Sequence, residues 1–117
     1  MAELSCTQEG DIDLIRLTGV IDTETLMVLR QTISTLRQQG CKKIVWLGND
    51  IQIPADARLE LLEGSWRIFR NMGGKIALAE FSEPHLRILE RTSWHKYLNI
   101  FKTGMEAKAF LDPQSKG

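Results

Sequence analysis

Long apolar runs are missing from this 117-residue sequence, and none approaches the roughly 20 residues that a membrane-crossing helix needs. Direct membrane insertion is therefore not expected. Cysteine is scarce too. Cys6 and Cys41 stand alone and far apart, with no CxxC pair and no cysteine–histidine cluster, so neither a thiolate metal motif nor a disulfide framework is predicted. A charge excess of one sign is absent, since 15 basic residues face 15 acidic ones. That balance argues against a nucleic-acid binder, which normally carries a basic stripe to meet phosphates. The motifs of catalysis are missing as well. There is no GxxxxGK[ST] phosphate loop, no GxGxxG after a strand and no GxSxG elbow. No charged-then-apolar leader pattern follows Met1. These absences predict a soluble, cytoplasmic, non-enzymatic protein without cofactor or metal.

What is present has globular composition, 43% hydrophobic and 26% charged. The length suits one domain, read here as residues 1–112, with a polar tail over 113–117. A first strand around Leu4–Thr7 turns at Glu9-Gly10-Asp11 into a second over Ile12–Leu17, closed by Gly19. Asp22 or Thr23 can cap a helix whose apolar stripe is Leu26, Leu29, Ile33 and Leu36, and Gly40 stops it. Lys43–Leu47 is a short apolar run bounded by glycine, the pattern of a buried central strand. A second helix is predicted from Asp56, with Leu59, Leu62, Trp66 and Phe69 inward and a Glu63–Arg67 pair outward. Gly73-Gly74 ends it and feeds the strand Lys75–Ala79.

Ser82 is expected to cap a third helix, with Pro84 in its first turn and Leu86 and Leu89 inward. A short strand at Asn99–Phe101 and a T-x-x-E capping box, Thr103 to Glu106, open a last helix holding Phe110 and ending before Pro113. The order β-β-α-β-α-β-α-β-α predicts an α/β domain with a mostly parallel sheet.

Residues of chemically competent types have simpler explanations. His85 and His95 lack carboxylate or thiol neighbours at ligand spacing and read as surface histidines. Glu60 and Glu63 read as the solvated side of an amphipathic helix, Trp46, Trp66 and Trp94 as core area, and Cys41 as a small packed residue.

Several motifs occur together in order. Arg16-Leu17-Thr18-Gly19-Val20-Ile21-Asp22 resembles the R-L-x-G-x-L/I-D strand and turn that opens the STAS domain of anti-sigma factor antagonists. Gly73-Gly74-Lys75-Ile76-Ala77-Leu78 resembles its G-G-x-L-x-L element. Ser82-Glu83-Pro84 through Arg91-Thr92-Ser93-Trp94 resembles its late helix, without the Gly-Leu usual at the last two places. The resemblance spans nearly the whole chain. It implies a bacterial, STAS-like single domain: a mixed, mostly parallel sheet with helices largely on one side.

The family's signature, D-S-S/T-G, carries a serine that a partner-switching kinase phosphorylates. Counted back from Gly73-Gly74, it falls on Ala55-Asp56-Ala57-Arg58. The acceptor position is then Asp56, and neither neighbouring register supplies a hydroxyl. Phosphate would add roughly two negative charges to a docking surface, whereas Asp56 holds about one permanently. Asp56 is also a good helix cap, a role worth about 1 kcal/mol over alanine; both readings stand at this point.

The resemblance implies a partner-binding surface made of Asp22, Thr23, Glu24, Pro54, Ala55, Asp56, Ala57 and Arg58. The expected partner is an anti-sigma factor or related kinase-like regulator acting on transcription. The alternative is a structural subunit of a stress-signalling assembly or of a membrane transporter complex, bound to another STAS protein or a transporter ATPase. Edge strands leave a homodimer open as well.

Overall fold

The computed structural model of the chain describes residues 2–92 and 98–112. Its elements follow the predicted order. Strand β1 (Glu3–Glu9) and strand β2 (Ile12–Val20) form an antiparallel hairpin that turns at Gly10, whose φ of 63° suits glycine. Helix α1 (Thr23–Gln38) leads to strand β3 (Lys43–Gln52), and helix α2 (Glu63–Asn71) leads to strand β4 (Lys75–Ala79). Helix α3 (Glu83–Leu89), strand β5 (Asn99–Phe101) and helix α4 (Gly104–Leu111) complete the series. The sheet order is β1-β2-β3-β4-β5, with only the first pair antiparallel.

Side chains alternate across the pleat, so each strand feeds two cores. On one face Ile15, Leu17, Trp46 and Leu78 pack against the buried residues of α1, α2 and α3: Leu26, Leu29, Ile33, Leu36, Trp66, Phe69 and Leu89. On the other, Ile12, Leu14, Val45, Leu47, Ala77 and Ala79 meet, among the described residues, Ala107 and Leu111 of α4, with Phe101 at the margin. Helices thus lie largely on one side, as expected. Trp46 and Trp66 stack at 5.9 Å between ring centres, and Phe81 meets Trp46 edge-on at 5.2 Å. Trp94 and His95 lie outside the described residues.

Both long helices end alike. After α1, Gly40 (φ 88°) donates to the Arg37 carbonyl and Cys41 to that of Leu36; after α2, Gly73 (φ 87°) donates to Arg70 and Gly74 to Phe69. This is the Schellman arrangement, and it turns the chain sharply back into the next strand. Gly74 has a second reason to be glycine, because a Cβ there would sit 2.4 Å from the Phe69 ring.

Four details differ from expectation. Strand β3 runs five residues beyond Leu47, because Asp50, Ile51 and Gln52 pair with Thr18, Gly19 and Val20 across a register shift. Ser82 occupies the cap position of α3 without a side-chain capping bond. The second helix does not begin at Asp56; a 3₁₀ turn, Leu59–Leu62, precedes α2. His85 is half-buried rather than freely exposed. The capping box of α4 is formed in both directions, with Thr103 Oγ1 accepting from the Glu106 amide at 3.1 Å and Glu106 Oε1 accepting from the Thr103 amide at 3.2 Å.

Candidate protein-docking surface

Because β2, β3, β4 and β5 are parallel, the chain leaves all four at one end of the sheet. In open α/β sheets this carboxyl end is where binding segments gather. The segments here are the start of α1, residues 53–58, residues 80–82 and the start of α4.

Asp22 follows β2 directly and caps α1. Its Oδ1 accepts from the Thr25 amide at 2.8 Å and from Thr25 Oγ1 at 2.7 Å. These bonds, the hydroxyl first, hold the Asp22 carboxyl below the ordinary carboxylate value. Asp22, Thr23 and Glu24 are all exposed. The Ile21 amide donates to the Gln52 carbonyl at 2.9 Å, which ties the end of β2 to the end of β3. The structure therefore brings the two sequence-predicted segments, Asp22–Glu24 and Pro54–Arg58, to the same end of the sheet.

The second segment is an anchored turn. Ile53 and Leu59 are buried at its ends, and Ala57 packs against the core between them. The Ala57 amide donates to the Pro54 carbonyl at 3.0 Å, closing a four-residue turn. Ala55, Asp56 and Arg58 are left exposed, with Pro54 half-buried.

Asp56 is not a helix cap. The 3₁₀ turn takes Arg58 as its cap residue, with no side-chain capping bond, and α2 takes Leu62 on the same terms. The physical reason is the closed Pro54–Ala57 turn, followed by an i→i+3 bond from the Leu61 amide to the Arg58 carbonyl at 3.0 Å. That winding starts at Leu59 with Arg58 as its cap residue, which leaves Asp56 two residues before the cap position. Arg58 is offset by Glu60, Nε to Oε2 3.2 Å, although both side chains are about two-thirds exposed and such a pair stabilises little.

Sequence reasoning missed one side of this surface. A groove of about 290 Å³ is lined by Ala55, Ala57, Leu59 and Glu60 and, from the end of α3, by Ile88, Arg91 and Thr92. The available signal was Ile88, an apolar residue beside the inward Leu86 and Leu89 that the helical stripe left unassigned.

Elsewhere the side chains offer packing. Glu63 pairs with Arg67 at 3.9 Å and Glu60 with Arg58, so the two glutamates face separate arginines. His85 Nδ1 is buried without a hydrogen-bond partner, and burial pushes this histidine's pKa down. Burial first, then the neighbouring Asp13, push the Cys41 thiol up to about 12, the opposite of a reactive cysteine. Among the described residues no group of three or more His, Cys, Asp or Glu side chains is arranged to hold a metal ion, and no helix is long and apolar enough to cross a membrane.

No protein-family model matches the chain. An anti-sigma F factor antagonist from Paenibacillus polymyxa is 24% identical over 100 residues, covering 85% of this chain and 86% of the relative. Among solved structures, the anti-sigma factor antagonist SpoIIAA in its unphosphorylated form matches with a TM-score of 0.77 at 19% identity, over 95% of this chain and 97% of that one. An anti-sigma factor antagonist from Mycobacterium paratuberculosis matches with a TM-score of 0.78 at 14% identity, over 94% and 93%. In sheet order, helix placement and extent, this chain has the fold of the anti-sigma factor antagonists, the STAS fold.

Proposed function

We propose that this domain is a non-enzymatic regulator that works by docking a protein partner at the carboxyl end of its sheet. The observation that carries the reading is the anchored, outward-facing turn Pro54–Arg58, held beside Asp22–Glu24 by the Ile21–Gln52 bond. A surface of this kind presents charge on a rigid scaffold, which suits recognition rather than chemistry. The partner class is an anti-sigma factor or related kinase-like regulator, in line with the description of the Paenibacillus relative.

Within that reading the turn acts as a constant rather than a switch. No hydroxyl occurs from Ala55 to Arg58, and Asp56 holds an exposed carboxylate that caps nothing. A phosphoryl group would carry about two charges and three acceptor oxygens; a carboxylate carries one charge and two. The domain would therefore present a fixed, weaker version of the negative charge that its relatives gain on phosphorylation. A permanent charge suits a lasting subunit too, so a stress-signalling assembly or transporter complex is the second reading.

Affinity purification of the tagged chain from its native cells, with mass spectrometry of partners and of the chain, tests this. A kinase-fold anti-sigma factor, bound by the native chain and lost with Asp56→Lys/Arg58→Glu, is the expected result. Recovery of a transporter ATPase or a STAS assembly instead would favour the second reading. Binding unchanged in the double variant would remove the surface from the account.

A further inference from the structure

A second groove lies on the outer face of the helical layer, between α1 and α2 and away from the turn at Asp56. It has a volume of about 290 Å³, and Met27, Arg30, Ser34 and Arg37 line it from α1, with Ser65 and Ile68 from α2. Of its apolar members Ile33 is buried, but Met27 is 45% exposed and Ile68 46%, and Met72, just after α2, adds a further 48%-exposed apolar side chain nearby. Methionine at such a surface adapts its shape to what it meets.

The charges are one-sided. Arg58, Arg67 and Arg87 each pair with a glutamate. Arg30 has no carboxylate partner among the described residues, and Arg37 instead donates to Ser34 Oγ at 3.3 Å and to Met72 Sδ at 3.8 Å. No carboxylate lines the groove among those residues. Lys42 extends the basic edge, its Nζ donating to the Met72 carbonyl at 2.7 Å. In a chain whose charges balance overall, this groove carries two guanidinium groups, Arg30 and Arg37, and no carboxylate among its described lining residues.

From this complementarity we infer that the α1/α2 groove docks an acidic amphipathic helix of a partner protein. Apolar side chains of that helix, at i and i+3 or i+4, would sit on Met27 and Ile68, and flanking carboxylates would meet Arg30 and Arg37. Guanidinium pairs carboxylates through two parallel hydrogen bonds, which fixes orientation as well as sign. The surface is separate from the one proposed above and would let the domain hold two partners, or two parts of one.

The test uses the full chain and a designed helical peptide with leucines on one face flanked by glutamates, titrated by fluorescence anisotropy. Saturable binding is expected that weakens as salt rises, falls at least about tenfold in Arg30→Glu/Arg37→Glu, and falls comparably in Ile68→Ser. A lysine-flanked peptide of the same apolar pattern should not bind. Asp56→Lys/Arg58→Glu should leave peptide affinity unchanged, which separates failure of this inference from failure of the first surface. No saturable binding, equal binding of the basic peptide, or indifference to the arginine reversal would each overturn the inference. So would a concentration-dependent dimer broken by Ile68→Ser but not by the arginine reversal, which would make the occupant a second copy of this chain.

Discussion

Consider alanine at Gly74. The added Cβ would lie 2.4 and 2.5 Å from two carbons of the Phe69 ring and 2.7 Å from the Phe69 carbonyl oxygen, where ordinary contacts begin near 3.4 Å. The ring is 1% exposed and part of the main core, so it has nowhere to swing. The carbonyl accepts the Gly74 amide at 3.0 Å in the helix-ending motif, so moving it breaks that bond. Relief at one contact worsens another. Overpacking of this kind costs about 1–3 kcal/mol, and the double constraint puts Gly74→Ala at about 3 kcal/mol. For a chain of this size that is a fall in Tm of roughly 10 °C.

Gly73→Ala provides the contrast. Its Cβ meets nothing within 4 Å, but φ is 87°. The cost is left-handed strain alone, about 1 kcal/mol. Asparagine, which tolerates that region, should recover part of the loss at 73 and none at 74. Thermal and urea unfolding of the four variants decide it. Gly74→Ala within about 0.5 kcal/mol of the native chain, or rescue by asparagine at 74, would refute the reasoning.

Three further outcomes are expected. Asp56→Ala should leave stability within about 0.5 kcal/mol of the native chain, since Asp56 caps no helix; a clear loss in a urea titration would restore the capping role. Asp22→Asn keeps a good cap and removes its titration. The lowered Asp22 pKa means that its stabilisation is full above the ordinary value of 3.8 and is lost as pH falls through the folded-state value; Tm curves of native chain and variant should therefore converge in acid and run parallel at neutral pH. In thiol labelling at pH 8, exposed Cys6 should react well before Cys41, whose burial raises its pKa to about 12, and urea should abolish the difference; equal rates in the native chain would contradict the described burial.

Legibility in the sequence followed the range of the interactions. The capping box at Thr103 and Glu106, the Asp22 cap, the helix stops at Gly40 and Gly73, and the buried stripe of α1 are local, and each is formed where the residues suggest. The last residues of β3 depend on pairing with Gly19 and Val20, more than thirty positions away, which no local pattern reveals. Asp56 looked like a cap because aspartate before an apolar stripe usually is one; the Pro54–Ala57 turn and the 3₁₀ winding at Leu59 overrode it. Ile88 and Arg91 reach the Ala55–Glu60 segment only through the packing of α3, so that half of the groove was invisible beforehand. The close approach of Gly74 to Phe69 was hidden for the same reason, although the glycine itself was plain.

The most direct test of the central claim is calorimetric titration of the chain with a kinase-fold anti-sigma factor recovered in the affinity purification proposed above, followed by incubation with ATP and an intact-mass measurement. The account predicts saturable binding, weakened at least about tenfold by Asp56→Lys/Arg58→Glu, and no phosphoryl group gained. Binding indifferent to both substitutions, or a phosphorylated chain, would contradict it.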